Sequence, residues 1–143
     1  MRVCVRANLL WNDIKYNDIM KKVIATVDAP KAVGPYSQAI EVNGTLYISG
    51  QIPVNPADGQ IQDEITAAAH QSLKNIGAIL KEAGMTYDNV VKTTVLLADI
   101  ADFKAVNEVY AEYFTGDKPA RACYQAAALP LGVKVEIEAI AVR

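Results

Sequence analysis

The sequence predicts an α+β domain, with two helices laid on one face of a mostly antiparallel sheet. Three observations predict it. Asn43-Gly44 sits between two short apolar runs, the strongest local signal for a hairpin. Two longer segments, 63–83 and 103–114, repeat apolar residues at helical rather than strand spacing. Beyond Pro119 come two more apolar runs, divided by the turn signal Leu129-Pro130-Leu131-Gly132.

Taken in order, residues 1–19 differ from the rest of the chain. Arg2 and Arg6 interrupt the early apolar residues, so no signal-peptide core forms, and Asp13 and Asp18 do not suit a transit peptide. The segment reads as an N-terminal extension without a role in the fold, with one domain over 20–143. Val23 to Asp28 is a strand candidate that Ala29-Pro30 breaks, and Gly34-Pro35-Tyr36-Ser37-Gln38 is a loop. Ala39–Val42 and Thr45–Ser49 are the two arms of the hairpin, and Asn55 to Gly59 is a turn-rich loop. In the first helix Ile65, Ala69, Ser72, Leu73, Ile76, Leu80 and Ala83 form the apolar stripe, with Asp63 to cap the start and Gly84 the end. His70 lies beside that stripe, in a place for a solvated side chain. Val90 to Leu97 is a β-branched strand. Asp99 or Asp102 opens the second helix, whose buried face is Phe103, Val106, Tyr110, Tyr113 and Phe114, and Gly116 closes it.

Composition removes several functions. The chain has 143 residues, 52% hydrophobic and 21% charged, enough to build one sizeable core. A net charge of −2 without a cluster of Lys and Arg does not suit nucleic acid as the main partner. No apolar run approaches the length of a membrane span. Two cysteines, Cys4 and Cys123, and the single His70 make neither a disulfide framework nor a metal-ligand spacing, and a reducing cytoplasm is the plain expectation. No Gly-rich phosphate loop is present.

The groups able to do chemistry gather in the two terminal runs. Strand side chains alternate faces. Val133, Val135, Ile137, Ala139 and Ala141 therefore share one face, and Glu136 and Glu138 share the other with Ile140 and Val142. A strand apolar on both sides at one end is covered by protein there, so the carboxylates are expected where burial begins. Arg121, Cys123 and Gln125 share a face of the preceding run. The Arg121 fork matches a carboxylate with two parallel hydrogen bonds, although a surface ion pair would explain it too. A carboxylate at a covered edge can aim a water, against the plainer reading of a solvated strand face. Cys123 beside a guanidinium would be more acidic, but packing alone also accounts for it. Tyr36 offers a phenol from the Gly-Pro loop, and Gly50 lets a backbone N–H approach a ligand closely. If the last two strands formed a simple hairpin, Arg121 and Glu136 would stand roughly 17 Å apart. Either these strands are not direct partners or the site is built between subunits, and the second is favoured because a sheet with helices on one face needs cover on the other.

These pieces, with Ser49-Gly50-Gln51-Ile52-Pro53, Val91-Lys92-Thr93-Thr94-Val95, Pro119-Ala120-Arg121-Ala122 and Val135-Glu136-Ile137-Glu138-Ala139-Ile140-Ala141, resemble the RidA/YjgF family of imine/enamine deaminases over residues 24–143. The resemblance implies a chorismate-mutase-like fold and a homotrimer with clefts between subunits. It implies 2-imino acids and their 2-enamine tautomers as substrates, among them 2-iminopropanoate and 2-iminobutanoate, released by pyridoxal-phosphate enzymes that it protects. Carried over by position, Arg121 binds the substrate carboxylate and Glu136 orients the water. Tyr36 and Asn107 line the cleft, and the backbones of Gly50 and Cys123 face the ligand. Imine hydrolysis asks for orientation and electrostatics, so it needs no cofactor or metal. The chain departs from the family pattern at Lys118, Leu131 and Tyr124-Gln125-Ala126, around the expected mouth of the cleft. Two rival readings accompany the deaminase: a trimeric small-molecule-binding or chaperone-like protein with little turnover, and an endoribonuclease.

Overall fold

The structure is a computed structural model and describes residues 20–143; the expectation for residues 1–19 lies outside them. The strands are β1 (Lys22–Ile24), β2 (Ala39–Val42), β3 (Thr45–Gln51), β4 (Val90–Leu97), β5 (Ala120–Gln125) and β6 (Val135–Val142). The helices are α1 (Ile65–Glu82) and α2 (Phe103–Tyr113). One six-stranded sheet runs in the order β1-β2-β3-β6-β4-β5. Only β4 and β5 pair in parallel; every other neighbouring pair is antiparallel. The expected mixed, mostly antiparallel α+β architecture is what forms.

The sheet is apolar on the side the helices cover. Leu46 and Ile48 of β3, Val95 and Leu97 of β4, and Val135, Ile137, Ala139 and Ala141 of β6 are all buried there. Against them α1 lays Ala68, Ala69, Leu73, Ile76, Ile79 and Leu80. The second helix sits on the same side, where Tyr110 Oη is 2.7 Å from Thr93 Oγ1. Its buried residues are Val106, Val109 and Tyr110, with Phe114 just beyond its end. Phe103, expected in the core, is 40% exposed, and Tyr113 is half-buried. The hairpin turn forms as read, with Asn43 and Gly44 at φ 51° and 77°, the left-handed pair that a two-residue turn requires.

Several local expectations are corrected. The first strand ends at Ile24 instead of Asp28. Glu64, one residue after the expected Asp63, caps α1, because its longer side chain accepts from both Thr66 and Ala67 N–H. Asp99 caps a single 3-10 turn, Ile100–Asp102, that leads into α2, and Asp102 makes no side-chain cap. His70 is not solvated: it is half-buried, with Nδ1 2.8 Å from Tyr113 Oη.

The last two strands are not hairpin partners. β4 lies between them, pairing with β5 on one side and β6 on the other. β5 and β6 run antiparallel to each other, but the connection between them spans β4 instead of joining neighbours. The face bearing Glu136 and Glu138 carries no helix. Ile140 and Val142 are therefore only half-buried in the single chain, and the cover expected over them is absent from it.

Candidate active site

Glu136 projects from the central strand onto the open face. The register of β3 on β6 passes from Ile48–Ala139 to Gln51–Ile137, so β3 carries one extra residue at Ser49-Gly50. Such a bulge re-aims the chain locally. It brings Gly50 under the Glu136 side chain so closely that a Cβ there would overlap Oε1 and stand 2.8 Å from Cδ. The glycine is thus required by contact, because only a residue without a side chain leaves room for the carboxylate. Burial, and then the neighbouring Glu138, push the Glu136 carboxyl above its ordinary range.

Arg121 projects to the other face. It stands opposite Thr93 in the parallel β4–β5 register, on the helix side. Its guanidinium carbon lies 4.8 Å from the centre of the Tyr110 ring and 5.6 Å from that of Phe103. The cation is held by two aromatic faces, and among the described residues it forms no ion pair with a carboxylate. Its hydrogen-bonding fork remains available. Asn107 lies one helical turn after Phe103 and one before Tyr110, on the stripe that meets Arg121. Cys123 shares the face, packed against the core. Its thiol is pushed up by burial, with Arg121 opposing, so the acidic thiolate considered from the sequence is not what the surroundings favour.

Tyr36 belongs to a third feature. It lines a cleft of about 310 Å³ with Gly50, Ile52, Ile61, Val33 and Leu131 among the other walls. Gly50 links this cleft to Glu136. Arg121, Asn107 and Cys123 form one cluster, and Tyr36, Gly50 and Glu136 another. The two clusters do not meet within one chain, since Arg121 and Glu136 stand on opposite faces of the sheet.

Sequence reasoning missed two contributors. Phe103 and Tyr110 were placed in the core, although their seven-residue separation also sets two rings on one stripe beside Arg121. Leu131 stood out only as a departure from the family pattern near the cleft mouth, without a hint of its backbone conformation. It lines the cleft with φ 57°, a left-handed conformation rare for leucine. Lys118, a departure from the expected pattern, has a local role: its Nζ donates to the carbonyls of Phe114 and Gly116 and closes the end of α2.

Comparison with known proteins falls on the same segments. The profile of the Endoribonuclease L-PSP family matches residues 26–143. The chain belongs to this family, the RidA/YjgF family. The 2-iminobutanoate/2-iminopropanoate deaminase of Mus musculus is 58% identical over 128 residues, 89% of this chain and 95% of that one. The deaminase of the same name from Escherichia coli is 48% identical over 127 residues, covering 87% and 99%. Among solved structures, the conserved Rid-family protein YyfA of Yersinia pestis superposes with a TM-score of 0.84 at 50% identity, over 86% of this chain and 99% of that chain. TdcF of E. coli, crystallised with bound serine, superposes with a TM-score of 0.83 at 44% identity, over 85% and 98%. No helix of the described residues is long and apolar enough to cross a membrane.

Proposed function

We propose that this RidA/YjgF member is a cofactor-independent deaminase that hydrolyses small 2-imino acids, and their 2-enamine tautomers, to 2-oxo acids and ammonia. The observation that carries the reading is an arginine fork without a carboxylate partner, held on two rings, in a chain about half identical to named deaminases. Such a fork suits the carboxylate common to every 2-imino acid. The serine bound to TdcF carries the same carboxylate.

Each residue then takes one task. Arg121 binds the substrate carboxylate. Glu136 accepts a proton from a water whose oxygen adds to C2 of the protonated imine. The carbon then carries both a hydroxyl and an amino group. The proton held by Glu136 passes to that amino group, the C–N bond breaks, and the hydroxyl becomes the new carbonyl as its proton leaves. One protonated imine and one water enter, and one 2-oxo acid, one ammonia and the proton released by the hydroxyl leave. The iminium supplies its own electrophilicity, so the protein supplies placement and charge. Tyr36, Asn107 and the backbones of Gly50 and Cys123 complete the cleft.

Arg121 and Glu136 stand on opposite faces of one sheet, so the reading builds each site from two chains. It takes the assembly to be a chorismate-mutase-like homotrimer whose open sheet faces cover one another. It places the activity in the cytoplasm, where it removes electrophiles that would damage pyridoxal-phosphate enzymes. Semicarbazide trapping of 2-iminopropanoate made in situ is the test. Added protein should lower the trapped fraction, and Arg121→Ala should weaken this by at least about a hundredfold, for two lost charge-assisted hydrogen bonds. Unchanged trapping with the wild-type protein would replace this reading with a binding protein of little turnover.

A further inference from the structure

The wall of the Tyr36 cleft has no helix or strand between Ala25 and Ser37, yet its first part is tied to the sheet by one buried amide. Gln38, at the entry to β2, is only 5% exposed. Its amide is fully engaged. Oε1 accepts from Thr26 N–H at 2.7 Å, and Nε2 donates toward the carbonyls of Thr26 at 3.1 Å, Ala29 at 3.2 Å and Pro30 at 2.8 Å. All these partners belong to the loop. The backbone of Gln38 is fixed from the opposite side, where its carbonyl accepts from Ser49 N–H at 2.9 Å. Ser49 Oγ adds a bond of 2.6 Å to the Ser37 carbonyl. Ser49 immediately precedes Gly50, on which Glu136 rests.

We infer that Gln38 is a positioning residue. It fixes the 25–37 loop, and with it Tyr36, at a set distance from the Gly50–Glu136 step. A buried amide can satisfy several backbone groups at once only if the loop keeps one conformation. Among the described residues no other side chain hydrogen-bonds residues 26–30 to the sheet, although Ala29 is itself packed in the core. Loss of the clamp would free the wall, to which Gln38 itself also contributes. The ligand would then have to order the loop on binding, which weakens binding more than it slows the bound complex. The role in turnover rests on the deaminase reading; the clamp itself does not.

The experiment compares wild type, Gln38→Met and Gln38→Glu. The first replacement keeps the shape and removes every bond. The second keeps the acceptor for Thr26 N–H and loses the donors, and it carries the test if the first fails to fold by circular dichroism. Hydrogen exchange should speed up by about tenfold or more over residues 25–37 and stay unchanged over 90–97. Affinity for 2-oxobutanoate, measured by titration calorimetry, should fall about fivefold or more, with KM for 2-iminopropanoate rising in step and kcat held within about threefold. Unchanged exchange in the loop of a folded variant would overturn the clamp. Faster exchange with wild-type affinity and KM would overturn the positioning role. A wild type that neither binds the oxo acid nor consumes the imine would sink the deaminase reading instead, and the exchange data would still decide the clamp.

Discussion

At the scale of single residues, Glu136 shows how position sets chemistry. Burial and Glu138 raise its carboxyl pKa above the ordinary 4.5. The folded chain therefore holds that proton more tightly than the unfolded one. Its contribution favours folding at low pH and turns unfavourable as pH rises through the unfolded value toward the folded one. Glu136→Gln should accordingly lose activity at pH 7 while its thermal midpoint equals or exceeds wild type, with the gap closing in acid. A variant clearly less stable at pH 7 would show the carboxylate to be structural. The same shift predicts an acid limb of kcat/KM centred above 4.5, and Glu138→Gln should move it downward. Leu131 is the other residue under tension. Its left-handed backbone costs about 1–2 kcal/mol, and Leu131→Asn, which tolerates that region, should recover up to about 1 kcal/mol in denaturant unfolding.

At the scale of elements, periodicity made the sheet and both helices legible, because burial on one side imposes alternation on strands and a stripe on helices. Sequence pattern carries no information on which strands are neighbours. The Pro130-Leu131-Gly132 turn left open whether the last two strands pair, and it links two strands that β4 separates. The glycine in Ser49-Gly50 allows a bulge, but the register against β6 that defines it cannot be read from its own residues. It gives a direct test. Gly50→Ala would drive a methyl into the flexible end of Glu136, which can swing aside. Activity should drop sharply while the thermal midpoint changes little. Full activity in Gly50→Ala would remove Glu136 from the site. Gly77 offers the contrast. A methyl there meets the half-buried Tyr87 phenol, whose hydroxyl donates to Leu73 O at 2.7 Å. Gly77→Ala should therefore lose about 1–3 kcal/mol of stability as that bond breaks.

At the scale of the whole molecule, the two proposed site residues, on opposite faces of one sheet, make a prediction about assemblies. Arg121→Ala and Glu136→Ala should each be inactive alone. If the proposed trimer holds, the two variants unfolded together and refolded as mixed assemblies in equal amounts should recover about a quarter of wild-type activity, the statistical share of sites that draw arginine and glutamate from intact sources. No recovery in mixed trimers would place both groups in a site of one chain, against the geometry. The sheet order has a further outcome, for synthesis. The ribosome delivers Val135–Val142 after every other strand, yet that segment occupies the middle of the sheet, bonded to β3 on one flank and β4 on the other. Without it the pairing partners left are β1–β2–β3 and β4–β5, each lacking the neighbour that would satisfy one hydrogen-bonding edge. A stop codon before Val135 should thus release two half-sheets prone to join with strangers, and one late segment turns them into a single body.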